Sequence, residues 1–367
     1  MDSRRVLIDG IAFENSGQKG VQRYYLEMLR RLPEDLSCTI FFNQPSKASL
    51  PQKADLIYRT EKFPVSRQNI WGRARRKFKT LFHSTRLPKA AVFHSTFFTR
   101  SPVPGLPEVV TVHDMIAECH PDLFPADLEP HVIQKKECIL NATAIIAISE
   151  ATRNDLVRTY PEVSSRVTVI HHGADHLQDF GVAAEKAGDE SPYVLFVGDR
   201  AGYKNFATVL AAVAEQDWPR RLNLKVVGAQ FSESEHQVLR QLRVESKVIH
   251  AGRVSDAELK GLYQSALAFI FPSLCEGFGF PLLEAQHMGV PVIASDIPAF
   301  REIGGDSVVF FKPRDPASLV SAITRFLEAG EREHFTALGR QNVRRFTWEN
   351  CAQQTAEIFR AAAIGGS

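Results

Sequence analysis

The 367-residue chain has no C-x-x-C pair, no apolar run of the roughly 20 residues that a bilayer crossing needs, and no acidic residue between Glu61 and Glu108. Its five cysteines (Cys38, Cys119, Cys138, Cys275, Cys351) are scattered and odd in number, which excludes a disulfide framework and reads as reduced thiols in a cytosolic compartment. No long apolar segment precedes the first strand pattern at Val6–Asp9, so no secretory leader is expected and the location reads as cytoplasmic. No H-x-x-x-H pair comes with a third ligand, and no metal is expected. The net charge of +2 is too small to imply a polyanionic partner, and nucleic-acid binding is set aside.

What is present is an ordinary globular composition, 44% apolar and 23% charged. The length exceeds the roughly 250–300 residues at which single cores stop growing, so two domains are expected. The acid-free stretch carries Arg73, Arg75, Arg76, Lys77 and Lys79 among Trp71, Phe78, Leu81 and Phe82. Two readings of the basic stretch within 67–89 stand: a basic amphipathic helix for an anionic membrane surface or a lipid-linked acceptor, and a solvated basic face over a few core aromatics.

Short apolar runs alternate with segments of helical pattern, which argues parallel α/β sheets. In the first half they are Val6–Asp9, Cys38–Phe42, Ala91–His94, Val109–Val112, Ala144–Ile148 and Val167–Ile170. Periodicity fades between His176 and Pro192, then restarts with Tyr193–Val197, Leu222–Val227, Val248–His250, Leu267–Phe271, Val290–Ala294 and Val308–Phe311. The expected division is a first domain over 1–176, a linker over 177–192 and a second domain over 193–347. A last helix near 348–364 is expected to return to the first domain.

Three groups carry chemistry. The run Leu267–Phe271 empties into a loop with Glu276, Gly277 and Gly279, and then a helix opened by Pro281 that carries Glu284. The glycines let a ligand approach the main chain, the positive end of the helix favours an anion, and carboxylates accept from sugar hydroxyls. An ordinary strand-to-helix turn with two solvated glutamates is the plainer alternative. After Tyr193–Val197 come Arg200 and Lys204, placed to meet a diphosphate or to stand as solvated loop cations. Val109–Val112 ends in His113-Asp114, either a sugar contact and acid–base pair or a structural histidine. His94, His171 and His172 are lesser candidates.

Taken together, Gly17-Gln18-Lys19-Gly20, Val112-His113-Asp114, Ile148-Ser149-Glu150-Ala151-Thr152, His171-His172-Gly173, Val197-Gly198 with Lys204-Asn205, the Glu276-x7-Glu284 segment and Glu302-Ile303-Gly304-Gly305 resemble the retaining nucleotide-sugar glycosyltransferases. That family includes bacterial mannosyltransferases and sucrose-phosphate and glycogen synthases, and the resemblance is greatest to its mannosyltransferase branch. It implies a GT-B fold of two facing Rossmann-like, doubly wound domains with a cleft between them. The implied reaction moves a hexose, mannose favoured, from a nucleotide diphosphate (GDP-mannose, or a UDP-sugar) to a glycan or lipid-linked saccharide, with no metal and no cofactor. By the same resemblance Arg200 and Lys204 bind the diphosphate and Glu276 and His113 contact the transferred sugar. Glu284 holds the ribose, Gly277, Phe278, Gly279 and Phe280 line the donor, and Gly17 and Gly20 let a loop close over the phosphates. A sugar-nucleotide epimerase, a phosphorylase and a silent sugar-nucleotide-binding protein are the alternatives.

Overall fold

The computed structural model describes residues 5–14, 19–42, 54–58, 87–123, 129–175, 191–200 and 202–365. Gly17, the basic stretch with Arg73, Arg75, Arg76, Lys77 and Lys79, and most of the expected linker lie outside them. The chain divides into two compact units, Met1–Gly173 joined by Trp348–Ser367, and Ala174–Thr347.

In the first unit, β1 (Arg5–Asp9), β2 (Ser37–Phe42), β3 (Ala54–Tyr58), β4 (Val92–Ser95), β5 (Glu108–Val112), β6 (Ala144–Ala147) and β7 (Val167–Val169) form one sheet in the order β3-β2-β1-β4-β5-β6-β7. Every pair is parallel, with Ile8 opposite both Ile40 and His94. Parallel strands are covered on both faces, which is why β1, β2, β4 and β5 read as continuous apolar runs. The strand β3 has no such run because it lies at the edge: Leu56 is 39% exposed, and Asp55 faces Arg5 at 3.5 Å.

The second unit repeats this pattern. Its strands β8 (Tyr193–Val197), β9 (Asn223–Val227), β10 (Val248–Gly252), β11 (Ala268–Phe271), β12 (Val292–Ser295) and β13 (Val308–Phe311) run β10-β9-β8-β11-β12-β13, all parallel. In each sheet the order reverses once, between β1 and β4 and between β8 and β11. Loops beyond the carboxyl ends of strands at such a reversal form a crevice where α/β proteins hold ligands.

The crossover helices are α1 (Ile11–Glu14), α2 (Lys19–Arg31), α3 (Ile116–Cys119), α4 (Glu129–Asn141) and α5 (Glu150–Thr159) in the first unit. In the second they are α6 (Phe206–Ala214), α7 (Glu233–Leu242), α8 (Asp256–Ser265), α9 (Phe280–His287), α10 (Pro298–Gly304), α11 (Pro316–Arg325) and α12 (Glu331–Val343). Local chemistry sets several starts: Ser149 accepts from the Thr152 amide, and Ser232 with Glu235 and Ser255 with Glu258 form capping boxes. One core packs Val194, Phe196, Leu224, Val226, Ile270 and Ile293 against Phe206, Leu210 and Ile323. Burying each such large side chain stabilises the unit by about 1.5–3 kcal/mol. The last helix, α13 (Trp348–Gly365), buries Trp348, Cys351, Ala352, Thr355, Ala356, Phe359 and Ala362, an i, i+3, i+4 stripe packed within the first unit against α2.

Two differences from the expected boundaries fall at candidate site residues. Gly279 takes a left-handed conformation (φ 119°) and caps α9, so the helix opens at Phe280 and Pro281 is its second residue. Gly20 lies inside α2, with nothing within 4 Å of the position of a Cβ, rather than in the glycine loop before it.

Candidate functional site

In the second unit the loops after β8 and β11, which meet at the sheet's reversal, are stitched together. Asn205 sits in the left-handed region (φ 55°), which asparagine tolerates better than most residues, and its Nδ2 donates to the carbonyl of Pro272 at 3.0 Å. The Leu274 amide donates to the Tyr203 carbonyl at 2.8 Å. With the loops so fixed, Lys204 Nζ lies 2.6 Å from Glu276 Oε1, which also accepts from Ser273 Oγ at 2.7 Å. Both charged side chains are largely buried, at 23% and 14% exposure. Burial alone would lower the Lys204 pKa, but the Glu276 carboxylate and Tyr203 outweigh it and hold the amine above its ordinary value.

Arg200 leaves the same loop towards different partners. Its Nε lies 2.5 Å from Glu235 Oε1, and its Nη2 donates to Glu235 Oε2 (3.1 Å) and to the Gln230 carbonyl (2.9 Å). The guanidinium stands 4.7 Å over the Phe231 ring. Glu235 is also the third residue of the α7 capping box, and its pKa falls to about 2, mainly through the hydrogen bonds from Arg200. The structure therefore gives Arg200 and Lys204 separate carboxylate partners. Gly228 lets the ends of β8 and β9 approach here: a Cβ on it would stand 2.6 Å from the Gly198 carbonyl.

Glu284 is half-buried one turn into α9, and Gly277 is buried. Phe278 is 2% exposed and packs edge-on against Phe346, so its side chain serves the core. Behind α9, Gln286 donates to Ser307 Oγ at 2.7 Å and accepts from Asn342 Nδ2 at 2.8 Å. This buried amide chain fixes the helix that presents Glu284.

The first unit holds a cluster of its own at the carboxyl ends of β4 and β5. Tyr24 packs at 5.3 Å against the His113 ring and 4.6 Å from His172, with Trp348 of α13 closing over both Tyr24 and His172. The Thr111 hydroxyl lies 3.2 Å from the Tyr24 hydroxyl and 3.0 Å from His94 Nε2. Burial pushes the His113 pKa down to about 4, Asp114 opposing and Lys135 reinforcing; it pushes His94 to about 3 and His172 well below its usual value. His113 is therefore uncharged at neutral pH, suited to a hydrogen bond and not to a cationic role. At the reversal of this sheet, Asp9 accepts from the Ile11 and Thr96 amides and from the Thr96 and Thr99 hydroxyls.

Ser273, Glu235 and Lys135 were not singled out from the sequence. The S-x-x-E of Ser232 and Glu235 signals a cap, but nothing local says that its glutamate receives an arginine 35 residues away. Among the described residues no three His, Cys, Asp or Glu side chains gather as metal ligands, and no helix is long and apolar enough to cross a membrane.

Residues 18–177 match the family model described as Glycosyltransferase Family 4, and residues 180–342 that of Glycosyl transferases group 1. O-antigen chain mannosyltransferase B of Escherichia coli is 28% identical over 69% of this chain and 70% of its own length. O-antigen chain mannosyltransferase RfbU of Salmonella typhimurium is 29% identical over 67% of each. Among solved structures, sucrose-phosphate synthase from Thermosynechococcus elongatus superposes with a TM-score of 0.70 at 18% identity, covering 98% of both chains. Anabaena HepE in complex with UDP and glucose gives 0.71 at 16% identity, over 96% of this chain and 98% of that one. Those structural likenesses show the fold alone, GT-B-type with two Rossmann-like domains.

Proposed function

The chain belongs to the glycosyltransferases, and from that premise we propose that it moves a hexose, mannose favoured, from a nucleotide diphosphate to a glycan or lipid-linked saccharide, with retention and without a metal. The observation that carries this reading is the Lys204–Glu276 pair at the reversal of the second sheet. Breaking the bond to the anomeric carbon leaves a negative diphosphate. A cation and a helix end aimed at that group stabilise the transition state more than the ground state. In this reading the donor exchanges partners within the pair: Lys204 turns to the diphosphate and Glu276 to a sugar hydroxyl. Glu284 takes the ribose, the Gly277–Phe280 turn meets the phosphates through its main chain, and uncharged His113 accepts or donates one hydrogen bond to the sugar. Arg200 contributes through its remaining Nη1, with Glu235 holding the guanidinium in place.

The O-antigen mannosyltransferases among the relatives favour mannose and hence GDP, and the UDP bound to HepE keeps UDP-sugars in the comparison. The relatives are transferases and synthases, which leaves the epimerase, phosphorylase and silent-binder readings unsupported. The basic stretch with Arg73, Arg75, Arg76, Lys77 and Lys79 fits an anionic membrane surface beside a lipid-linked acceptor. Sedimentation with anionic vesicles at low salt tests that part. Thermal-shift measurements with GDP-, UDP-, ADP- and dTDP-sugars test the donor: at 100 times its dissociation constant a ligand stabilises by about 2.7 kcal/mol. No shift with any of the four classes would overturn the reading.

A further inference from the structure

We propose that Lys135 is a positioning residue: its buried ammonium clamps the main chain of Asp114 and the strained turn at Phe98, and so fixes where His113 stands. Lys135 lies on α4 three and four residues before Cys138 and Ile139, on the stripe that faces the core, and is 4% exposed. Lysine is among the residues least often found there, and a Lys–Glu pair at such a place is often no more stable than apolar side chains of the same size. The pairing with Glu118 is also incomplete. Lys135 Nζ donates to Glu118 Oε2 at 2.9 Å, while the buried Glu118 Oε1 has no hydrogen-bond partner among the described residues. Stability alone therefore does not account for this cation.

Its other contacts do. Nζ donates to the Asp114 carbonyl at 2.6 Å, directly after His113, and stands 5.4 Å over the Phe98 ring. Phe98 has a φ of 52°, a strained conformation for a bulky residue. The neighbouring Gln134 donates to the Phe98 carbonyl at 2.9 Å, and His131, one turn earlier, stacks on Phe97 at 4.9 Å. One helix thus grips both loops at the carboxyl ends of β4 and β5. The charged and titratable groups facing His113 are Asp114 and Lys135, with Tyr24, Tyr25, His94 and His172 around the ring.

The inference rests on His113 as a sugar contact, and the test separates the two. In the full chain, Lys135→Met combined with Glu118→Leu removes the clamp without leaving a buried charge. Expected are a melting temperature near that of the parent and amide exchange at least tenfold faster at 96–99 and 113–115 only. With GDP-mannose or UDP-glucose as donor probe, kcat falls at least tenfold while the donor KM stays within threefold. Should the double variant not fold, Lys135→Arg, which keeps the cation but alters its reach, is read by the same exchange measurement. Parent-like exchange at both loops overturns the clamp. A parent-like kcat in His113→Ala overturns only the sugar contact and leaves the clamp to the exchange data.

Discussion

Lys204 and Glu276 neutralise each other at the reversal of the second sheet, so under the proposed reading each variant exposes the other's role. Under that reading Lys204→Ala removes the cation that meets the leaving group and is expected to lower kcat by about 10²–10³, the range for losing one such electrostatic contact. Glu276→Gln frees Lys204, so binding of the nucleoside diphosphate alone, measured by calorimetry, should tighten while transfer falls. Weaker diphosphate binding by Glu276→Gln would count against the exchange of partners. His94 and His172, both buried, and the partly exposed His113 are expected to lower stability in acid. Their folded pKa values, about 3 for His94, about 4 for His113 and well below 6.5 for His172, lie under the unfolded value, so as pH falls below about 6.5 the unfolded chain gains protons that the folded one refuses. Stability falls with a slope of up to about 1.4 kcal/mol per pH unit for each histidine, and melting temperatures measured from pH 7.5 to 5.0 should decline. At this scale the sequence was legible where a residue's place follows from a strand end, as for Lys204, Glu276 and His113. It was opaque where a partner comes from elsewhere: Arg200 receives Glu235 from a helix cap, and Lys135 stands out only as a cation at a position where the helix period calls for an apolar residue.

At the scale of elements, the helix carrying Glu284 depends on its cap and its backing. Gly279→Ala forces a side chain into a left-handed conformation, its Cβ 3.3 Å from the Phe300 ring. A cost of about 1–3 kcal/mol is expected, read by urea denaturation. Asn342→Leu leaves the Gln286 Oε1 and the Ile303 carbonyl without their buried donor and should cost about 1–3 kcal/mol for each orphaned group. An unchanged melting temperature would show that this amide chain is not what seats α9. The parallel strands were readable because burial on both faces makes them apolar throughout. The edge strand β3, with Asp55 and Leu56 both exposed, lacked that mark.

At the scale of the whole molecule, the same strand order occurs twice, with one further strand on the first sheet, and the sequence shows it as one alternating pattern that fades and restarts. The first unit is built from both ends of the chain. Trp348 and Phe359 of α13 complete the surroundings of Tyr24 and His94, and Arg360 pairs with Asp35 at 2.8 Å. Ending the chain after Thr347 should strip the first unit of its folded core while residues 174–347 keep theirs. Limited proteolysis checks this: cuts spread through the first unit and spare the second. The order of synthesis then matters. The second unit emerges from the ribosome as one uninterrupted segment and can fold on release, whereas the first, although translated earlier, must wait for α13. Until that helix arrives its aromatic and histidine cluster stays open to chaperones and to aggregation.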